Sequence, residues 1–241
     1  LIDAVNSHFR TQDISFYPGK SYRHCMIWNN GPKDGLLVPP HDILTKNIGR
    51  YLPCTDDFAL ILQMMEKSYS ILKDHPVNIS RIERGLRPAN SIWIWGQGKK
   101  PSLPSLKETY GLSGSVVAAV DLIFGLGICS GLKPVEVEGA TGNIHTNFHG
   151  KAMAAINEFE SGMDYVYLHV EAPDECGHRN EVTNKVLSIE LIDSKVLAPL
   201  YEYFKSKKEE TGEDFRILIL PDYPTPLTLR THTCDPVPFV L

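Results

Sequence analysis

Read for the spacing of its apolar residues, the chain falls into two stretches of different rhythm. In the first, Tyr22-Arg23-His24-Cys25-Met26-Ile27-Trp28 is a β-rich run, and the Gly, Pro and Asp of residues 30–42 predict a loop. Thr55 or Asp56 can then cap a helix. Ile61, Met64, Met65, Tyr69 and Leu72 recur at the three-and-four spacing of one helical face, and His75-Pro76 stops it. Ile92-Trp93-Ile94-Trp95 predicts a short buried strand, its tryptophans and Trp28 packing in a core. Residues 96–104, rich in Gly, Pro and Lys, predict a linker.

From there strand and helix alternate. The pattern predicts a helix over 115–124, a strand over 135–137, a helix over 151–159 and an almost wholly apolar strand over 165–170. A long helix follows, with Val182, Val186, Ile189, Val196, Leu200 and Phe204 on one side, then a buried strand over 215–220. Near-continuous apolar strands separated by helices indicate an α/β protein whose mostly parallel sheet is covered on both faces. Gly125-Leu126-Gly127 and Gly131 read as a helix stop, because a dinucleotide-binding motif opens a helix after a strand and these glycines follow a predicted helix.

Composition narrows the class. With 241 residues, 42% hydrophobic and 22% charged, the chain can bury a core, which excludes disordered and fibrous proteins. A net charge of −5 without a basic run excludes a nucleic-acid footprint and a polybasic membrane patch. No apolar stretch approaches the roughly 20 residues of a bilayer span. Five scattered cysteines without a CxxC pair fit neither a disulfide framework nor a zinc ribbon, so a cytoplasmic location is expected. The start at Leu1 and the stop within the apolar run ending in Leu241 lead to the expectation of a fragment.

Candidate chemistry lies where two strands end, the edge at which open parallel sheets bind ligands. After 165–170 comes Glu171-Ala172-Pro173-Asp174-Glu175-Cys176-Gly177-His178; after 215–220 come Pro221-Asp222-Tyr223 and later Thr231-His232-Thr233. Aspartate with histidine suits a borderline divalent cation such as manganese or zinc. Each residue also has a plainer reading: Asp174 as a helix cap, His178 as a polar first-turn residue, Asp222 and His232 as loop residues. Their combination in neighbouring strand-end loops favours a metal site. Cys176 between them reads as a packing residue.

Two segments, His169-Val170-Glu171-Ala172-Pro173-Asp174-Glu175-Cys176-Gly177-His178 and Thr231-His232-Thr233-Cys234-Asp235-Pro236-Val237-Pro238-Phe239, resemble the archaeal-type, cofactor-independent phosphoglycerate mutases of the alkaline-phosphatase superfamily. Tyr17-Pro18-Gly19, Tyr22-Arg23-His24, Pro39-Pro40-His41-Asp42, Arg87-Pro88-Ala89-Asn90, Trp95-Gly96-Gln97-Gly98 and Glu138-Gly139-Ala140-Thr141-Gly142 extend the resemblance over nearly the whole chain. It implies an alkaline-phosphatase-like α/β fold, with residues 99–241 a partial metal-binding core and residues 1–98 part of an inserted substrate-holding domain. One divalent metal would be held by Asp174, His178 and His232. For a second metal, Asp222 matches the family aspartate, but Tyr223 stands where the family has histidine, and with a pKa of about 10 it is a poor substitute.

The implied reaction interconverts 3-phosphoglycerate and 2-phosphoglycerate through a phosphoserine. The serine would lie outside these residues, leaving the fragment alone inactive. Manganese or zinc, or else magnesium, would serve, without 2,3-bisphosphoglycerate; paired metals assist the attacking and the leaving oxygen of such a transfer. The resemblance places Arg23, His24, Asp42, Arg87 and Asn90 around a small phosphorylated substrate, and guanidinium groups suit phosphate and carboxylate. Three alternatives stay open: Asp42 as part of a proline-led turn, a related phosphotransferase of homoserine-kinase type marked by Tyr223, and a remnant that keeps the fold without turnover. The sequence does not specify an oligomeric state.

Overall fold

The computed structural model describes residues 1–241 and divides them into two units, Leu1–Lys100 and Pro101–Leu241. In the first, α1 (Ile2–Phe9) leads into an antiparallel hairpin of β1 (Ile14–Tyr17) and β2 (Cys25–Trp28), with Ile14 opposite Trp28. A 3-10 turn at Asp56–Phe58 then opens α2 (Ala59–Leu72), and Pro76, well suited to a first turn, begins α3 (Pro76–Glu83). Val5, Phe16, Phe58, Ile61, Met64, Met65 and Leu72 share one buried cluster, with Trp28 and Trp93 packed against it.

Three expectations for this unit need correction. Tyr69 is exposed, and Ser68 occupies the inner face of α2 instead. Residues 92–95 form no strand: the Ile92 amide donates to Ser68 Oγ at 3.0 Å and the Trp93 indole N–H to the Val38 carbonyl at 2.8 Å. Ile92, Trp93 and Ile94 do pack against the core, but side chain–backbone bonds replace the ladder that would make a strand. Trp95 is 39% exposed and meets His41 edge-on at 5.1 Å, so it lies outside the core predicted for it.

The second unit begins with α4 (Leu106–Tyr110) and continues as β3 (Gly114–Val117), α5 (Asp121–Cys129), β4 (Lys133–Val135), α6 (Phe148–Glu160) and β5 (Tyr165–Leu168). Then come α7 (Ala172–Arg179), α8 (Val182–Ile192) and α9 (Ala198–Thr211). The predicted long helix is thus continuous but for a wider turn at Asp193–Leu197, just before Pro199, whose ring and missing N–H disturb the preceding turn.

The helix predicted over 115–124 is instead a strand followed by a helix. Ser115, Val116 and Val117 are all fully buried, as a central strand covered on both faces requires. Gly125 and Gly127 consequently lie inside α5, after a strand, rather than at a helix stop. Gly127 is needed for packing: a Cβ there would fall 2.4 Å from Val116 Cγ1. Residues 215–220 are likewise no buried strand. They make one antiparallel bridge, Ile219 to Val240, while Leu218, Ile219 and Leu220 stay exposed.

The sheet is parallel throughout, in the order β4-β3-β5. Val116 packs against Phe124 of α5, whereas Ser115 Oγ donates to Glu158 of α6 at 2.5 Å. Adjacent strand residues point to opposite faces, so α5 and α6 cover opposite faces. Val196 and Leu200 join Phe148 and Ala152 in one cluster, which puts the α8–α9 segment on the α6 face. The chain therefore leaves the neighbouring strands β3 and β5 toward opposite faces, and the crevice outside their carboxyl ends is the switch point at which such sheets bind ligands. No helix is long and apolar enough to cross a membrane.

Candidate metal centre

Asp174 and His178 stand four residues apart on α7, which starts directly at that crevice, so both project from one helical face. Pro173 fits the first turn, and Asn180 ends the helix in the left-handed conformation asparagine tolerates. His232 arrives from the loop beyond residue 220. Its Nε2 lies 3.2 Å from Asp174 Oδ1 and 3.1 Å from His178 Nε2, and His178 Nε2 is 3.3 Å from Asp174 Oδ2. One ligand atom from each of the three residues lies within 4.8 Å of the other two.

The surroundings fix these groups. His178 Nδ1 is 2.8 Å from the Arg230 carbonyl; a carbonyl only accepts, so Nδ1 carries the proton, which leaves Nε2 as the nitrogen turned into the cluster and able to ligate a cation. Arg230 holds a φ of 56°, uncommon for a residue with a β-carbon, and it is this residue's carbonyl that orients the imidazole. Buried Thr225 donates its hydroxyl to Asp174 Oδ1, and its carbonyl accepts from Lys185 Nζ at 2.8 Å. Gly177 permits that approach, since a Cβ there would come within 2.6 Å of the Thr225 carbonyl oxygen.

This donor set fits a transition-type divalent cation. One carboxylate and two imidazoles suit zinc or manganese better than calcium, and a carbonyl behind His178 is the usual support of a ligating imidazole. Three protein ligands leave coordination positions open, as catalytic sites do, and His232 is still one-third exposed.

Asp222 does not join the three. It is exposed, its Oδ1 accepts from the Tyr223 amide at 3.0 Å, and its negative charge helps raise Tyr167, which burial already pushes up. The Tyr223 and His232 ring centroids lie 3.9 Å apart with the rings tilted by 45°. Cys176 is buried and its thiol pushed up by burial, which suits packing rather than reactivity. His169, on β5's carboxyl side, is held below the usual imidazole range by burial and then by Lys151, against the pull of Asp222 and Asp174.

The five expected substrate residues all belong to the first unit. Arg23 lies over the Tyr22 ring at 5.0 Å, and His24 Nδ1 accepts from the Gly19 amide at 3.1 Å. Asp42 sits in the turn Pro40–Ile43 and accepts from Lys46 Nζ through its carbonyl at 3.0 Å. The Arg87 carbonyl accepts from Arg81 Nε at 2.8 Å, while Asn90 follows a residue held by Asn78. Sequence reasoning missed Thr225, the Arg230 carbonyl and Lys151, which bonds the His169 carbonyl at the end of β5. Of these only Lys151 left a signal, as a charge interrupting the apolar helical positions Phe148, Ala152 and Ala155.

A family model described as the Metalloenzyme superfamily matches residues 27–241. A probable 2,3-bisphosphoglycerate-independent phosphoglycerate mutase of Geobacter sulfurreducens is 47% identical over 241 residues, which is 100% of this chain and 59% of that protein. The 2,3-bisphosphoglycerate-independent phosphoglycerate mutase of Methanosarcina mazei is 45% identical over 242 residues, 100% of this chain and 60% of its own length. Among solved structures, the PH0037 protein from Pyrococcus horikoshii is similar at a TM-score of 0.61 and 26% identity, over 99% of this chain and 56% of that one. The chain thus spans about three-fifths of the length of these two mutases.

Proposed function

The chain belongs to the metalloenzyme superfamily, and from that membership we propose that Asp174, His178 and His232 hold one divalent cation in a 2,3-bisphosphoglycerate-independent phosphoglycerate mutase. One observation carries this reading: the Arg230 carbonyl engages His178 Nδ1 and so leaves Nε2 facing Asp174 and His232, with one ligand atom from each of the three within 4.8 Å of the other two. A bound divalent cation supplies Lewis-acid polarisation of a phosphoryl oxygen. The chain's own residues hold the geometry: Thr225 restrains Asp174, the Arg230 carbonyl orients the His178 ring, and Tyr223 packs against His232.

In this reading the substrate is 3-phosphoglycerate or 2-phosphoglycerate, and the phosphoryl group passes through a serine contributed by sequence beyond these residues. Arg23, His24, Asp42, Arg87 and Asn90 bind the phosphate and carboxylate, a role that rests on the resemblance and on the names of the relatives. Manganese or zinc is the cation the donor set favours. Five free cysteines support a reducing compartment such as the cytoplasm. The test is a coupled assay of the full-length protein with added manganese and no 2,3-bisphosphoglycerate. Conversion of 3-phosphoglycerate that is lost in His178→Ala is expected, and no turnover contradicts the reading. Tyr223 against His232 favours one second reading, a related phosphotransferase, which a screen of small phosphate esters and acceptors would separate from the mutase.

A further inference from the structure

Lys151 is fully buried on an otherwise apolar stretch of α6. Taking an ammonium group out of water costs several kcal/mol unless partners compensate, so its contacts carry meaning. Its Nζ donates to the His169 carbonyl at 3.0 Å, and Glu171 is near enough to raise its pKa against the burial that pulls it down to about 8. Both groups belong to the three residues that join β5 to α7. The His169 amide in turn donates to the Val117 carbonyl at 2.9 Å. Residue 169 is therefore pinned by both backbone groups, to β3 on one side and to α6 on the other. Three residues further along is Glu171's neighbouring turn, which carries Asp174 and, four residues on, His178.

We propose that Lys151 is a positioning residue for the cation site: it clamps the β5–α7 junction so that Asp174 and His178 meet His232 in register. This rests on the metal reading above. Two other roles make different predictions. A lysine serving only the core would change stability and leave cation affinity alone. One acting only through its positive charge would weaken cation binding, so that its removal would strengthen it.

The experiment titrates the full-length protein with Co²⁺, reading affinity and d–d absorption, with thermal unfolding followed in parallel. The variants are Lys151→Met, His178→Ala to identify the signal of this site, and Phe124→Leu, which disturbs a separate cluster of the same unit. Lys151→Met is expected to weaken Co²⁺ binding at this site about tenfold or more and to alter its spectrum, as loss of groups that orient ligands does. Phe124→Leu is expected to lower stability and leave both unchanged. Unchanged or stronger binding in folded Lys151→Met overturns the proposal, as does an equal loss in Phe124→Leu. Should Lys151→Met fail to fold, the same comparison is made in a Glu171→Gln background, where the charge the lysine balances is gone. Absence of Co²⁺ binding in the unsubstituted protein overturns the site and this role with it, whereas binding retained in Lys151→Met overturns the role of the lysine alone.

Discussion

Leu1–Lys100 buries two polar side chains, Ser68 and Asn78, whereas Pro101–Leu241 buries Ser115, Thr146, Lys151, Glu158, Ser188 and Thr225, of which Lys151 and Glu158 are ionisable. The apolar cores differ in the opposite sense. The first unit has one cluster of ten buried residues, while the second has separate clusters of four and three. In the first unit the buried polar groups serve irregular chain: Ser68 receives the Ile92 amide, and Asn78 bonds both the amide and the carbonyl of Ala89. In the second their roles differ: Ser115 bonds Glu158 between β3 and α6, Lys151 holds the His169 carbonyl and Thr225 holds Asp174 at the candidate site, and Ser188 bonds within α8. Buried charge is poor support for stability as such, but it fixes geometry wherever its partners are complete. The contrast teaches that the second unit replaces part of its apolar packing with polar contacts of fixed direction, two of which, from Lys151 and Thr225, lie at the candidate site.

The comparison is broken most strongly at Asn78. Its Nδ2 donates to the Leu72 and Ala89 carbonyls at 2.7 and 3.0 Å, and its Oδ1 accepts from the Ala89 amide at 2.8 Å. Asn78→Ala leaves those groups unsatisfied and is expected to cost about 3 kcal/mol in denaturant unfolding. Cation binding should be untouched, because the loss belongs to the first unit. A matching loss of cation affinity would contradict the separation drawn here.

Glu158→Gln comes next, at about 1–2 kcal/mol for the weakened bonds to Ser115 and Lys133. Burial alone would raise the Glu158 carboxyl, yet the bonds from Lys133 and Ser115 outweigh it and hold the group below its ordinary value. A depressed carboxylate contributes stability above its unfolded pKa and loses it as pH falls through the folded one. The gap in stability between the unsubstituted protein and Glu158→Gln should therefore be full near pH 7 and shrink from about pH 5 downward. A gap that widens in acid would overturn that sign.

The smallest effect is expected at Asp222. Exposed and bonded to its neighbour's amide, it should tolerate Asp222→Asn within about 0.5 kcal/mol and keep cation affinity within about threefold. A large loss of affinity would place Asp222 among the ligands after all.

How far the sequence could be read follows from what each pattern encodes. Helices α2 and α6 were legible from apolar residues at helical spacing, and the α8–α9 segment was legible as a helix, but Val182, Val186 and Ile189 of the face read there are exposed and only Val196, Leu200 and Phe204 turn inward. Residues 115–117 were misread because a strand buried on both faces has no alternation to distinguish it from a buried helix. Residues 215–220 carry the apolar run of a strand, but a strand is made by its neighbours, and only Val240 bonds it. The site was legible to the extent that it is local. Asp174 and His178 lie one helical turn apart, and His232 was joined to them by strand-end reasoning and by resemblance. The Arg230 carbonyl and the Thr225 hydroxyl were not legible, since their partners lie 52 and 51 residues away and only the folded loop brings them in.

The central claim is that three side chains share one cation, and the most direct measurement is isothermal titration of the full-length protein with Mn²⁺ beside Asp174→Ala, His178→Ala and His232→Ala. The account predicts one saturable binding event that each substitution removes while the fold persists by circular dichroism. An isotherm that survives any two of these substitutions unchanged would contradict it.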